Sequence, residues 1–163
     1  MNEPFAPPGQ DWQAVSPALA RLRRTVLVIV TVVTTGLLLA LALLLPLPVW
    51  SWILALVALG FVAACSWVLV GRNVRWWGYA ERDEDLYIRH GALFRTLVVV
   101  PYGRMQYVDV QAGPLEQAFG VASVHLHTAS PGTSARIPGL PAAEAARLRD
   151  RLTALGQSQA AGL

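Results

Sequence analysis

The chain has 163 residues, 55% of them apolar and only 14% charged, and its formal net charge is +3. From residue 25 to residue 70 there is no Lys, Arg, Asp, Glu or His. That run is too long for one buried core helix and long enough for two membrane spans, which excludes a fully soluble globular protein. The single cysteine, Cys65, lies inside it and excludes a disulfide scaffold.

All 13 basic residues are Arg, balanced by 10 acids and gathered into no strong basic patch, so nucleic acid is not the implied partner. Residues 1–20 read as a disordered cytoplasmic tail, with Pro4, Pro7 and Pro8 and no apolar period. A short interfacial helix over 11–22 is the alternative, broken by Ser16-Pro17. Residues 21–72 read as a transmembrane hairpin, with spans over 25–45 and 49–70 joined by Pro46-Leu47-Pro48. A cleaved signal peptide is a rival for the first span. Against it, Ala40-Leu41-Ala42 is embedded in leucines and the apolar run exceeds the usual hydrophobic region of a signal. Arg21, Arg23 and Arg24 precede the first span, Arg72 and Arg75 follow the second, and the connecting turn has no basic residue. The positive-inside rule then puts both termini in the cytoplasm. Trp50 and Trp52 fall at one interface; Trp67, Trp76 and Trp77 fall at the other, where indole rings are favoured.

A cytoplasmic domain is expected over 73–156. A first strand is predicted over 75–80, a charged turn over 81–84, and further strands over 86–89, 96–100, 106–110, 121–128 and 135–137. The last long strand alternates, with Val124 and Leu126 on one face and His125 and His127 on the other. Residues 130–134 read as a loop tip. Six or seven short antiparallel strands at this spacing suit a sandwich or a partly closed barrel. Pro141 then suits a first helical turn. Ala145, Leu148, Leu152 and Leu155 form one apolar stripe of a terminal helix. Gly156 is placed to stop it, leaving 157–163 as a mobile tail.

Val100-Pro101-x-x-Arg104-Met105-Gln106-x-Val108, then Gly113-Pro114-Leu115 and Phe119-Gly120-Val121-Ala122, resemble the bacterial pleckstrin-homology-like (PH-like) domain of YdbS-type membrane proteins. The closing Leu140-Pro141-x-x-Glu144-Ala145-x-x-Leu148-Arg149 and the preceding spans extend the resemblance over about residues 20–155. It implies an α+β membrane protein: a two-helix transmembrane hairpin, then a PH-like antiparallel β-barrel or sandwich with a C-terminal helix, held at the inner face of a bacterial cytoplasmic membrane. It implies no catalytic activity, and pairing with a larger membrane protein that contains several such domains. Two departures stand out. The stretch Glu116-Gln117-Ala118 lacks the basic residue common there, which weakens an anionic-ligand role. Met105 replaces a usual β-branched residue, a tolerable packing change.

The candidate partner-binding surface is Arg104, Gln106, Gly113, Pro114, Leu115, Phe119 and Gly120. For Arg104 the competing reading is an internal contact, to backbone or to Asp109. His125 and His127 could form a metal pair, but a site needs a third ligand, so a solvated strand face is the plainer reading. Cys65 reads as a packing residue. Arg75, Arg82, Arg89 and Arg95 could touch anionic lipid, offset by Glu81, Asp83, Glu84 and Asp85. Gly36 with Ala40 and Gly60 with Ala64 could let helices pack closely. The spans hold no ionisable residue except Cys65, and no cofactor, metal or nucleophile motif is present, so no catalytic residue is assigned. The leading expectation is a non-enzymatic membrane adaptor that lies in the lipid bilayer and binds another integral membrane protein, possibly one with tandem PH-like domains. An anionic-lipid sensor and an accessory subunit of a transporter or membrane enzyme are the alternatives.

Overall fold

The computed structural model describes residues 11–128 and 134–161. After a short strand at Gln13–Ala14 come two long helices, α1 (Ala18–Leu44) and α2 (Val49–Trp76). At 1.5 Å per residue each is roughly 40 Å long, against about 30 Å of hydrocarbon in a bilayer. The apolar stretch of each is unburied by the rest of the protein. Every backbone group in such a segment must be satisfied within it, which a helix achieves. The hydroxyls of Thr31, Thr34 and Thr35 follow the same rule, donating 2.8 Å bonds to the carbonyls of Leu27, Val30 and Thr31. Pro46 and Pro48 lack an amide hydrogen, so the chain leaves the helix at Leu45, extended at φ −108°, and restarts at Val49.

The domain is a sandwich of two antiparallel sheets, not a closed barrel. The first sheet has the order β1 (Gln13–Ala14), β2 (Gly78–Glu81), β3 (Asp85–His90), β4 (Thr96–Pro101). The second has the order β5 (Met105–Gln111), β6 (Val121–Thr128), β7 (Ala135–Pro141). A 3-10 turn, Tyr102–Arg104, carries the chain from one sheet to the other. The short helix α3 (Pro114–Ala118) joins β5 to β6, and α4 (Ala142–Ala161) closes the chain. The core is built from Leu86, Ile88 and Val100 of the first sheet and Val124, Leu126, Ile137 and Leu140 of the second. Ala145, Leu148 and Leu152 of α4 complete it, with Leu155 at its margin. The predicted helical stripe and the predicted face of β6 are therefore the faces that burial selects.

Three boundaries differ from the sequence reading, each because a long-range contact overrides a local signal. Residues 11–20 are not a plain tail. Gln13 and Ala14 pair with Tyr79 and Gly78, and Val15, Ala18 and Leu19 are buried in the domain core. The strand predicted from residue 75 begins at Gly78, because α2 runs on to Trp76 and Val74 packs into the core. Helix α4 does not stop at Gly156 but continues to Ala161. Gly156 keeps a negative φ and lies inside the helix near the Tyr102 carbonyl and Met105, so it does not cap α4. The glycines of the two small-residue pairs, Gly36 with Ala40 and Gly60 with Ala64, have nothing within 4 Å of a would-be Cβ, so neither glycine makes a close contact between α1 and α2. The predicted loop tip at 130–134 lies, except for Ser134, outside the described residues.

Candidate functional site

Arg104 and Gln106 follow the Pro101-bounded turn. Both are exposed, and Arg104 makes no hydrogen bond or ion pair among the described residues. The expected internal contact between Arg104 and Asp109 is not formed. Asp109 instead accepts from Gln111 Nε2 at 2.8 Å and faces His127 Nε2 at 3.5 Å. Gln106 sits on a bulge. Met105 pairs with Thr128 and Tyr107 with His127, leaving Gln106 without a partner across the ladder.

β5 is an edge strand, so one row of its backbone groups has no strand beside it. Alongside it runs a groove of about 390 Å³ lined by Met105, Gln106, Tyr107 and Val108 on one side and by Leu152, Thr153, Gly156 and Gln157 of α4 on the other. The sequence reading found Gln106 but missed the α4 wall. Exposed polar residues at 153 and 157 carry no local signal, and only the packing of Leu148 and Leu152 aims them at β5.

The other half of the predicted surface lies apart. Gly113, Pro114, Leu115, Phe119 and Gly120 surround α3, at the opposite end of β5, roughly 20 Å from Arg104 at about 3.3 Å per strand residue. There Glu116 accepts from the Gly113 amide at 2.9 Å and from Ser123 Oγ at 2.9 Å, with Arg136 donating to Ser123 Oγ. Leu115 is exposed, Phe119 is half-buried, and Gly120 at φ +67° turns the chain into β6. Gly113–Gly120 is thus a fastened connection, while the β5 edge is open.

His127 stacks on Tyr107 with ring centroids 4.2 Å apart, and His125 lies 6.5 Å from His127. Burial, reinforced by Arg136, holds the His125 imidazole below its ordinary pKa. Among the described residues no three His, Cys, Asp or Glu side chains gather as a metal set. The arginines considered for lipid do not converge: Arg82 lies over Tyr87, Arg89 over Trp12 and Arg95 over Trp76. Cys65 is exposed on the apolar surface of α2.

A second polar group fastens α4 to the first sheet. Arg147 Nη2 lies 2.6 Å from both Glu81 Oε1 and Glu144 Oε1, and Arg151 Nε lies 2.9 Å from Glu81 Oε2. The Tyr79 hydroxyl donates to Glu144 Oε1 at 2.8 Å and lies 2.5 Å from the Gln13 side-chain amide. Burial and the neighbouring carboxylate raise the Tyr79 pKa, and the Arg147 hydrogen bond holds Glu144 below its usual range. Apart from Glu81 Oε2, which faces Arg151 as an ion pair without a hydrogen bond, these groups satisfy one another, which marks them as structural.

The helices meet the domain at a third cluster. Arg23 of α1 and the Trp77 indole both donate to Asn73 Oδ1, at 2.8 and 3.0 Å. Arg24 lies over Trp67 at 4.8 Å, and Trp77 stacks on His90 at 4.8 Å.

The comparisons agree with this architecture. The bacterial PH domain family matches residues 22–155. UPF0699 transmembrane protein YdbS of Bacillus subtilis (strain 168) is 37% identical over 81 residues, which is 50% of this chain and 50% of the relative. The chain therefore spans about half the length of the curated relative it matches. No solved structure matches. Two apolar helices joined to a two-sheet sandwich with a closing helix, and a family match reaching from within α1 to within α4, make this chain a membrane protein of the bacterial PH domain family.

Proposed function

We propose that the chain is a non-enzymatic membrane adaptor whose β5 edge receives a segment of another integral membrane protein. The observation that carries this reading is the open edge of β5 beside the α4 groove, with Arg104 and Gln106 exposed at its start. An extended segment laid there would gain main-chain hydrogen bonds from β5 and side-chain contacts from α4, the mode known as strand addition. Arg104 would supply a charge-assisted bond at one end, and Tyr107, 56% exposed, an amphipathic contact surface. The arginines flanking the spans favour both termini and the PH domain on the cytoplasmic side. A partner that itself carries PH-like domains is the first candidate.

The test is site-specific photo-crosslinking in native membranes, with the crosslinker at Gln106 in one variant and at Leu115 in another. An adduct to a second integral membrane protein at Gln106, lost on Arg104→Ala, supports the β5 edge. Adducts at Leu115 alone move the contact to the α3 end, where Phe119→Ala should then abolish it. Folded protein that gives no adduct at either position overturns the adaptor reading.

A further inference from the structure

The hairpin between β3 and β4 ends in a tip that the domain does not cover. His90 pairs with Thr96, so residues 91–95 form the connection. Leu93 is 69% and Phe94 88% exposed, Phe94 more than any other aromatic residue outside the two helices among the described residues. A soluble loop would place polar residues there. Gly91, at φ +104°, holds the turn tight; a Cβ there would collide with the Phe94 carbonyl oxygen. The tip is therefore a fixed shape presenting two large apolar side chains.

Its position gives those side chains a partner. A cavity of about 450 Å³ is lined by Gly91, Ala92, Leu93 and Phe94 on one side and by Leu69, Val70, Asn73 and Arg23 of the helices on the other. Leu69 and Val70 lie at the end of the uncharged run of α2, followed by Gly71, Arg72 and Asn73. The tip thus stands level with the end of the apolar segment. The Arg95 guanidinium lies over Trp76 at 3.9 Å, and Trp77 stacks on His90, which tie both legs of the hairpin to the same end of α2. Trp67, Trp76 and Trp77 mark this level as a membrane interface, where indoles are favoured. The tip carries no acidic residue.

We propose that Leu93 and Phe94 enter the interfacial layer of the bilayer that α1 and α2 cross, continuing the lipid-facing surface of α2 onto the PH domain. The tip is a third hold on the membrane that fixes the orientation of the domain, and with it the direction in which β5 faces. Its occupant is lipid at the boundary of headgroups and acyl chains, roughly 5–10 Å deep.

The test uses the full chain in lipid nanodiscs, on a Cys65→Ser background. Phe94→Cys, Leu93→Cys and, as a solvent control, Thr153→Cys are each labelled with an environment-sensitive fluorophore. Quenching is measured with aqueous iodide and with lipids bearing a nitroxide high on the acyl chain. The expected result at both tip positions is iodide quenching several-fold weaker than at Thr153, with strong nitroxide quenching that Thr153 lacks. Iodide access equal to that at Thr153 overturns the proposal. So does protection from iodide without nitroxide quenching, which would mean that protein rather than lipid covers the tip. Because the reading concerns purified protein in lipid, it stands or falls independently of any adduct at Gln106.

Discussion

At the scale of single residues, two glycines show opposite requirements. Gly139 lies at φ +70°, and a Cβ there would come within 2.6 Å of Leu19 Cβ; its carbonyl also accepts from the Ser16 amide at 2.9 Å. It holds the residues before α1 against β7. Gly139→Ala combines a left-handed backbone with a clash against the buried Leu19 side chain and should destabilise by about 2–4 kcal/mol. Gly156 has helical backbone and room for a methyl group, with nothing closer than 3.7 Å. Gly156→Ala should stabilise by about 0.4–1 kcal/mol through reduced freedom of the unfolded chain. Melting temperatures of the two detergent-solubilised variants should move in opposite directions.

The histidines give a pH dependence at the same scale. Burial lowers the pKa of His90 and, together with Arg136, that of His125. The unfolded chain binds these protons first, so stability is complete above about pH 6.5 and falls as pH drops through the window below it. Thermal melts between pH 7.5 and 5 should show that decline, and His125→Gln should flatten part of it. Glu144, held low by Arg147, adds a further loss only in more acidic solution, below about pH 4.3.

At the scale of elements, the fastening of α4 rests on two kinds of contact. Ala145, Leu148 and Leu152 were legible as a stripe because helical periodicity is local. The Glu81–Arg147–Glu144 group was not, since Arg147 and Glu81 are 66 residues apart and each resembles an ordinary surface charge. Glu81 has a side chain only 7% exposed, so removing Arg147 leaves a largely desolvated carboxylate with Arg151 as its remaining cation. Arg147 is 41% exposed, and water screens part of the interaction. Arg147→Ala should therefore destabilise by about 1–3 kcal/mol, and Arg149→Ala, which pairs with the exposed Asp150, by much less. Chemical denaturation of both variants would separate them. The same contrast applies to the candidate surface. Pro101, Arg104 and Gln106 mark a turn and a strand start in one dimension, while the groove needs α4 folded back on β5 to exist.

At the scale of the whole molecule, the hairpin and the domain form one connected body, since α2 passes into the domain and residues 11–20 pack upon it. Loss of the segment before α1 should therefore loosen the PH domain, not only shorten a tail. The proposed topology, with both termini cytoplasmic, predicts that single cysteines at Ser158 or Asp11, on a Cys65→Ser background, resist an impermeant thiol reagent in intact cells. A cysteine at Leu47 should react. Labelling of Asp11 or Ser158 from outside would overturn the proposed topology.

The sequence by itself determined the elements whose cause is local. The uncharged run, broken by Pro46 and Pro48, requires two apolar helices, because a backbone in lipid must bond within its own segment. The period-two runs gave β3 to β6, and the apolar stripe gave the buried face of α4. The tertiary structure decided what depends on residues far apart in the chain. It placed 11–20 in a sheet, carried α2 to Trp76 and α4 past Gly156, separated Arg104 from Gly113–Gly120, and set Phe94 beside Leu69. Each follows from burial or backbone pairing between segments whose own patterns are weak, so no window along the chain contains the contact that decides it.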